Sequence, residues 1–297
     1  MPNATPYGRA PILVTGMPRS GTTWLARLFA TAPGTALAGR EPMNPRGRQY
    51  ALGGTVHGWV ELEELTPAQR RALRRIYRGR HPLLFSRYGR RQWAAPLPWT
   101  RLVVKDPFAM LSVPIICEVT GAVPVLVYRH PGAALVSYRR MGWAPDLDEL
   151  APVLERHRRY RGRPEVSHLR DPGLSAAAAM GRFWAALYEL ALDNLDSVVT
   201  FTVSHEEVAG GGPSAARVLF RALGLEWSTA AEAEMSRAAG RVAAPGTLHA
   251  FNRPPAEVAG AWRKDVTPDE LVELESAAGQ VLARLEASRL PLGWVDS

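Results

Sequence analysis

Short apolar runs separated by amphipathic segments dominate the hydrophobic pattern of this chain. Each run is nearly continuous and rich in Val and Leu, which is typical of parallel strands that are covered on both faces. Helical periodicity fills the intervals, most clearly from Pro131 to Met141 and from Leu174 to Leu195. The pattern therefore predicts four buried strands, within residues 11–16, 101–106, 124–129 and 197–203.

The alternation of strands and helices predicts an α/β fold with a mostly parallel central sheet flanked by helices. A further helix is expected from Gly21 to Ala30. A last helix is expected to begin after Thr267, because Pro268 suits the first helical position and Glu270 completes a capping box. The chain shows no internal repeat and no long linker, so we expect residues 1–297 to form a single domain.

Charge narrows the choice of partner. Lys and Arg number 36 against 28 Asp and Glu, which gives a net charge of +8 and a pI near 10.1. This balance favours an anionic partner, such as a nucleotide, a sulfated or phosphorylated substrate, or nucleic acid. Nine arginines lie in residues 66–91 and six in residues 155–170. These segments form either a solvated face or the flanks of an active-site mouth that handles an anionic acceptor.

Cysteine content and apolar run lengths exclude several classes of protein. Cys117 is the only cysteine, so disulfides and cysteine-rich zinc sites are excluded and no metal site is expected. No apolar run approaches the roughly 20 residues of a membrane-spanning helix. The N-terminal apolar stretch of six residues is shorter than a signal-peptide core. We therefore expect a cytoplasmic protein without a membrane anchor, and the high Ala and Arg content indicates a GC-rich bacterial genome.

The stretch PILVTGMPRSGTTWLARLF, residues 11–29, has the outline of a phosphate-binding loop. Gly16 and Gly21 allow a tight turn, and the following helix presents free N–H groups and a positive dipole end to an anion. The Gly-Lys-Ser/Thr ending of ATP and GTP loops is absent, and Arg19 stands where a lysine is expected. Hydroxyl donors and a flat aromatic face for a base are offered by Ser20, Thr22, Thr23 and Trp24.

The string PRSGTTWL resembles the 5′-phosphosulfate loop of the sulfotransferases, which use 3′-phosphoadenosine 5′-phosphosulfate (PAPS) as sulfuryl donor. The resemblance implies that Arg19 contacts the sulfate-bearing phosphate. A second motif, VLVYRHPGAALVSY, resembles the 3′-phosphate site of the family, with Arg129 at a strand end and Ser137 eight residues later. An arginine fork and a hydroxyl on one phosphate give charge-assisted hydrogen bonds. They would favour PAPS over ATP, which lacks a 3′-phosphate.

The resemblance also bears on the general base. Animal cytosolic sulfotransferases carry a histidine two residues after a lysine, but here Pro107 occupies that place in VVKDPF. Carbohydrate sulfotransferases carry a glutamate in a short Glu-Pro motif, and AGREPMNP supplies Glu41 at a similar distance after the loop. The resemblance therefore implies Glu41 as base, with Asp106 as its rival. Lys105 is either a second cation near the sulfuryl group or a strand-end lysine in solvent.

Two weaker resemblances lie in the second half of the chain. NRPPAEVAGAWRKDVTPDEL resembles the last cofactor segment of the family, although the usual Arg-Lys-Gly start is absent. TVSHEEV resembles the strand and acidic turn beside the adenine, with His205 in place of a tyrosine, so His205 is either structural or cofactor-binding. The cofactor contacts implied by the first segment are Trp262, Arg263 and Lys264.

These motifs together predict a PAPS-dependent sulfotransferase, closer to the carbohydrate-type and bacterial branch. The expected reaction moves a sulfuryl group to a hydroxyl of a small-molecule, carbohydrate or glycosylated acceptor, which can be anionic, and releases PAP. Acceptor-binding insertions are expected within residues 45–100 and 139–195, which match no motif. The alternatives are a P-loop kinase, which needs a lysine and magnesium ligands, and a basic nucleic-acid-binding protein. A homo-oligomer is compatible with the sequence.

Overall fold

The sheet has five parallel strands: β1 (Ile12–Thr15), β2 (Thr35–Leu37), β3 (Arg101–Lys105), β4 (Val123–Tyr128) and β5 (Phe201–Ser204). They lie in the order β2-β3-β1-β4-β5, so that β1 is central. In register, Leu13 pairs with Val104 on one side and Pro124 on the other. This computed structural model describes residues 7–45, 52, 54–80, 97, 99–157, 160, 173–237 and 260–292.

The four predicted strands are confirmed, and a fifth was missed. β2 has three residues, Thr-Ala-Leu, which is too short to stand out as an apolar run. The last strand begins at Phe201 rather than at residue 197, because Val199 is 74% exposed and does not enter the sheet. β1 and β4 are buried along their whole length, as the continuous apolar runs predict.

The helices fall at the predicted places, with ends shifted by two residues or fewer where the capping or periodicity signals are clear. Pro131–Met141 is helical as predicted, and the helix before Leu195 begins at Ala176. The α-helices of the described residues are α1 (Thr22–Phe29), α2 (Pro67–Tyr77), α3 (Val113–Thr120), α4 (Pro131–Met141), α5 (Leu147–Arg156), α6 (Ala176–Leu195), α7 (His205–Gly210), α8 (Gly212–Ala222), α9 (Thr229–Arg237) and α10 (Pro268–Ser288). Among the described residues, two 3₁₀ helices span Pro107–Leu111 and Ala261–Lys264.

Helices cover both faces of the sheet. Leu13 belongs to the apolar cluster that includes side chains of α2, α3, α5, α6 and α10. Its neighbours Ile12 and Val14 belong to a second cluster with α1, α8 and α9. Because successive side chains of a strand point to opposite faces, these two clusters are the two layers above and below one sheet. The chain therefore forms a single three-layer α/β domain, as predicted.

Local signals set the ends of several helices. The capping box before α10 is present, with Thr267 Oγ1 accepting from the Glu270 amide. A second capping box, between Thr66 and Gln69, opens α2. Within the first arginine-rich segment, residues 67–77 form α2, and residues 81–91 lie outside the described residues, as does most of residues 158–170 of the second segment.

The strand order decides where a ligand can bind. β1 lies between β3 and β4, so the loops that leave these three strands meet at the carboxyl edge of the sheet. In open α/β sheets ligands bind in the crevice at this edge, where the direction of winding reverses. All the strand-end motifs of the sequence lead into this edge.

Candidate active site

Each strand of the sheet delivers one predicted site residue to the carboxyl edge. Arg19 follows β1, Glu41 follows β2, and Lys105 ends β3. Arg129 follows β4 and His205 follows β5. Because all five strands are parallel, these residues, which are far apart in sequence, lie along the same edge.

The loop between β1 and α1 is shaped by two close approaches of its backbone. At Gly16, φ is 143°, and a Cβ there would lie 2.0 Å from the carbonyl oxygen of Val127. At Gly21, φ is 96°, and a Cβ would lie 2.1 Å from Cδ2 of His205. Arg19, with φ of 73°, is the one non-glycine residue of positive φ in the described ranges. The loop is therefore wound tightly against β4 and the residue after β5.

The start of α1 has the features of an anion-binding site. Its N-cap is Gly21, which has no side chain to satisfy the first N–H groups, and its first turn contains no acidic residue. Ser20 and Thr22 are each 3% exposed, and Thr23 is partly buried beside them. The free N–H groups, the helix dipole and these hydroxyls suit a phosphate or a sulfate.

A hydrogen bond joins the two predicted phosphate motifs. Arg19 Nε donates to Ser137 Oγ over 3.0 Å, although the two residues are 118 positions apart. Burial, and next the charge of Arg129, lower the pKa of the Arg19 guanidinium. Two arginines that repel each other in a half-buried place are stabilised by an anion between them.

Arg129 is held by groups that the sequence did not identify. Its Nε lies 3.5 Å from Glu206 Oε1, and its backbone carbonyl accepts from Trp184 Nε1 over 2.9 Å. Burial lowers the pKa of Arg129, whereas Glu206 opposes that shift. Burial also raises the pKa of Glu206, and Arg129 opposes it. Glu206 additionally accepts from the amide of His130 over 3.2 Å, so one carboxylate orients both residues that follow β4.

Three aromatic residues have buried polar atoms that lack a hydrogen-bond partner among the described residues. Trp24 Nε1, His205 Nδ1 and Trp262 Nε1 are buried and have no hydrogen-bond partner among the described residues. Trp24 and His205 contact edge to face, with ring centroids 5.5 Å apart. Burial, and next the charge of Arg129, lower the pKa of His205 to about 3, so the ring is neutral at pH 7. Buried N–H groups normally find an acceptor, and a bound ligand can supply one.

The segment before α10 reaches the start of α4. Trp262 stacks on His130 with ring centroids 4.2 Å apart, and its six-membered ring lies where a Cβ of Gly132 would be, at 2.3 Å. Arg263 lies over the Trp262 ring at 5.0 Å, and its charge contributes to lowering the pKa of His130 to about 4, after burial. Lys264 is exposed.

Glu41 and Lys105 form an ion pair. Lys105 Nζ bonds Glu41 Oε1, and the second carboxylate oxygen accepts from Asn44 Nδ2. The Lys105 and Glu41 side chains are 16% and 19% exposed. The structure thus brings the predicted base and the predicted second cation into direct contact.

Asp106, the rival base, has both carboxylate oxygens engaged by backbone amides. Oδ2 accepts from the amide of Met43 over 2.5 Å and Oδ1 from the amide of Phe108 over 3.1 Å. Burial, and next the charge of Glu41, raise its pKa to about 8, against the effect of these two amides and of Lys105. The side chain is fully buried and caps the 3₁₀ helix that follows β3.

Sequence reasoning missed His130, Glu206, Asn44 and Tyr188. His130 carries a usable signal, since it is an N-cap directly before Pro131 and its Nδ1 accepts from the Gly132 amide. The roles of the other three depend on tertiary contacts that no local pattern reveals. Tyr188 of α6, for example, donates to the carbonyl of Val127 and accepts from the Met17 amide, which links β4 to the loop after β1.

The described residues contain neither a candidate metal cluster nor a candidate membrane-spanning helix. In the part of the chain that the structure describes, no cluster of three or more His, Cys, Asp or Glu side chains could hold a metal ion. Over the same residues, no helix has both the length and the apolar character needed to cross a bilayer.

Solved structures and a family model match this chain. The chain resembles the sulfotransferase domain from the curacin biosynthetic pathway, with 15% identity, a TM-score of 0.53, and coverage of 93% of this chain and 98% of that one. It also resembles the sulfotransferase domain of the Synechococcus PCC 7002 olefin synthase, with 20% identity, a TM-score of 0.47, and coverage of 93% of this chain and 96% of that one. Mouse sulfotransferase SULT7A1 complexed with PAP is similar at 12% identity and a TM-score of 0.47, with coverage of 94% of this chain and 89% of that one. At these identities the first of them supports the fold alone. No curated protein matches the chain significantly. The sequence model described as the sulfotransferase family matches residues 11–229, more than half of the chain. The chain therefore belongs to the sulfotransferase family.

Proposed function

We propose that this sulfotransferase uses PAPS as donor and transfers its sulfuryl group to a hydroxyl of a small-molecule or carbohydrate acceptor. The observation that carries the donor assignment is the hydrogen bond between Arg19 and Ser137, with Arg129 near enough to Arg19 for its charge to lower the Arg19 pKa. It joins a loop suited to the 5′-phosphosulfate to a motif suited to the 3′-phosphate. A nucleotide phosphorylated at both positions fits such a pair of sites.

The aromatic residues support the adenine end of this proposal. Trp24, His205 and Trp262 surround the same edge and carry the buried N–H groups and ring nitrogen that lack partners. Purine nitrogens are acceptors and the purine exocyclic amine is a donor, so a base can satisfy such groups. We assign 3′-phosphate binding to Arg129 and Ser137, and a supporting role to Arg263 beside the Trp262 ring.

When bound, PAPS supplies a sulfuryl group activated by its phosphate leaving group. The remaining chemistry is that of the chain. Glu41 takes the proton of the acceptor hydroxyl as the oxygen–sulfur bond forms. The negative charge that develops on the departing 5′-phosphate is stabilised by Arg19 and by the N–H groups at the start of α1.

Lys105 has a role in the same step. Before transfer it is paired with Glu41. Once Glu41 holds a proton its carboxyl group is neutral, and the Lys105 ammonium can turn its charge toward the transferred sulfuryl group. Asp106 is a poorer candidate for the base, because its carboxyl group is fully buried and held by two backbone amides, whereas the Glu41 side chain is 19% exposed.

The acceptor is expected to contact residues within 45–100 and 139–195. In support of the second range, the exposed ring of Trp143 contacts Tyr138 edge to face at 5.7 Å, and Tyr138 directly follows Ser137 on α4. An exposed aromatic face beside a transfer site suits the apolar face of a sugar or an aromatic ring. Trp143→Ala should therefore raise the KM for acceptor and leave PAP affinity unchanged.

Calorimetric binding of PAP and of AMP tests the donor assignment, because the two ligands differ only in the 3′-phosphate. We expect PAP to bind about 10- to 100-fold more tightly, since a hydrogen bond to a charged group contributes about 1.5–3 kcal/mol. Arg129→Ala should abolish the preference. Arg217→Ala, which removes an arginine of α8 paired with Glu232, should keep it. Equal affinity for the two ligands in the wild-type protein would overturn the assignment and favour an ATP-dependent kinase.

A further inference from the structure

The carboxyl group of Asp106 ties two separate segments together at the edge of the sheet. On its own side it accepts from the amide of Phe108, and across the gap to the segment after β2 it accepts from the amide of Met43. The Asp106 backbone is fixed as well: its amide donates to Val14 and its carbonyl accepts from Thr15 Oγ1 over 2.8 Å. A rigid, fully buried group therefore holds the Met43 amide.

The segment that Asp106 holds is the one that carries Glu41. Its sequence, Glu-Pro-Met-Asn-Pro, contains two prolines, which lack the N–H needed for backbone hydrogen bonds. Of its amides, that of Asn44 lies 3.5 Å from the Glu41 carbonyl, a long contact, whereas the Met43 amide has a short bond to a buried carboxyl. Of these two backbone hydrogen bonds, the one from Met43 to Asp106 is thus much the shorter.

Two links close a small ring between this segment and the end of β3. One is the ion pair between Glu41 and Lys105, and the other is the bond between the Met43 amide and Asp106. Lys105 and Asp106 are adjacent, and Glu41 and Met43 are two residues apart. The first link must loosen whenever Glu41 takes a proton, whereas the second involves no group that reacts.

We propose that Asp106 is a positioning residue that holds Glu41 in place through the backbone of Met43. The inference rests on the proposed function, in which Glu41 is the base. It assigns no proton transfer to Asp106. Burial raises the pKa of Asp106 to about 8, and the hydrogen bond from the Met43 amide opposes that shift.

Hydrogen exchange tests the contact without any need for an acceptor. A fragment covering residues 41–45 has only the amides of Glu41, Met43 and Asn44, because its other two residues are prolines. We expect exchange at Met43 to be about 10- to 100-fold faster in Asp106→Ala, since a lost hydrogen bond to a buried group costs about 1–3 kcal/mol. Asp106→Asn, which keeps one acceptor oxygen, should give a smaller increase. Asp193→Asn, at a buried aspartate paired with Arg284 near the end of α6, should give none.

Turnover tests the consequence for catalysis. The rate of sulfuryl transfer from PAPS is measured with the best acceptor in a panel of 4-nitrophenol and 4-nitrophenyl glycosides. Asp106→Asn should lower kcat by about 10- to 100-fold with PAP affinity unchanged, because a displacement near 1 Å costs on that order. In a double-mutant cycle, Asp106→Asn should cost nothing further once Glu41→Gln is present, because its only route to the reaction is Glu41.

The outcomes separate this inference from the proposed function. Wild-type turnover in Glu41→Gln would show that the base is misassigned. Unchanged exchange at Met43 in both Asp106 variants, or losses that multiply in the double variant, would overturn the positioning role while leaving Glu41 as base. Faster exchange at Met43 together with a non-additive cycle supports the inference. A near-UV circular dichroism spectrum like that of the wild type checks that neither result reflects unfolding of the variants.

Discussion

Glycine is required at two positions of the loop after β1 because other parts of the chain lie where a side chain would be. At Gly16 the obstacle is the backbone carbonyl of Val127, and at Gly21 it is the ring of His205. The close approach at Gly21 brings the start of α1 against the residue that follows β5. It thereby joins the phosphate loop to the proposed adenine side of the site.

Gly21→Ala is expected to weaken both folding and PAP binding. The alanine Cβ would lie 2.1 Å from Cδ2 of His205, and the alanine residue would have to adopt a φ of 96°. Either the ring or the start of the helix must therefore move. Gly121→Ala is a matched control, because Gly121 has a φ of 67° and nothing within 4 Å of a Cβ. The control should lose only the ~1–2 kcal/mol of the left-handed conformation.

Urea unfolding and PAP calorimetry of the two glycine variants check this expectation. Gly21→Ala should lose clearly more stability than Gly121→Ala, and it alone should lose PAP affinity. Equal losses of stability with equal PAP affinity would mean that His205 moves aside without consequence, and that it is not part of the site.

Glu41→Gln is expected to lower kcat by about 10²- to 10⁴-fold, the usual contribution of a positioned general base. Glutamine keeps the shape and can still accept from Asn44, but it cannot take a proton. PAP affinity should be unchanged, since Glu41 faces the acceptor in the proposed reaction. Single-turnover transfer from PAPS measures the chemical step, and a rate near that of the wild type would remove Glu41 from the mechanism.

At this scale the sequence predicted residues that stand at strand ends and missed those that support them. The sequence could predict three of them, because each belongs to a motif whose spacing reflects one strand, one turn and one helix: Arg19, Arg129 and Ser137. It could not predict Glu206 and Asn44, because their partners are set by strand order and by a loop path. No local sequence pattern indicates that Glu206 pairs with Arg129, which lies 77 positions earlier in the chain.

Among the elements, the short 3₁₀ helix at Ala261–Lys264 joins the C-terminal part of the chain to the site. Trp262 packs with Ala133 and Val136 of α4 and stacks on His130. Because α4 begins beside Arg129, this contact fixes the start of the helix that carries Ser137. The element therefore contacts the candidate site through the start of α4.

Trp262→Ala is expected to lower the free energy of unfolding by about 3–5 kcal/mol, as large-to-small changes of buried aromatic residues do. It should also reduce PAP affinity, because it removes a side chain proposed to contact the nucleotide and loosens His130. Trp227, which packs on Phe220 in the opposite layer, provides the control. Trp227→Ala should lower stability without changing the PAP affinity of the folded protein, and a parallel loss of affinity would show that the effect of Trp262 is not local.

Elements were predicted where periodicity and capping agreed. α4 and α10 have proline at the first helical turn and a defined N-cap, and both were found at the expected residues. β2 was missed because three residues carry too little pattern, although its burial is complete. Its place beside β3 is decided by the return of the chain from α1, which is a tertiary property.

For the molecule as a whole, three buried groups set a distinctive dependence of stability on pH. Burial lowers the pKa values of His205 and His130 to about 3 and about 4 from the ordinary 6.5. These rings bind protons only on unfolding, so stability falls as the pH drops below about 6.5. Asp106 acts in the opposite sense: its pKa rises from 3.8 to about 8. Its contribution to the free energy of unfolding is therefore fully present below about pH 4 and is lost as the pH rises to about 8.

Asp106→Asn is expected to remove the second of these effects. Between about pH 4 and pH 8 the wild-type protein should lose stability relative to the variant, by up to about 1.4 kcal/mol per pH unit for one proton. Urea unfolding of both proteins across this range measures the difference. The same pH dependence in the two proteins would contradict the raised pKa of Asp106. The histidine effect below pH 6.5 should remain in both and serves as an internal control.

The pairing of α6 with α10 has a consequence for synthesis of the protein. α6 buries 13 of its 20 residues, and Gly181 lets α10 approach so closely that a Cβ there would lie 2.9 Å from Ala277. On the ribosome, α6 is complete at Leu195, whereas α10 is complete only at Ser288. At a translation rate of ~5–20 residues per second, the apolar face of α6 stays exposed on the nascent chain for roughly 5–20 s before α10 has been synthesised. Yield in cells should therefore depend on chaperones that hold the nascent chain during that interval.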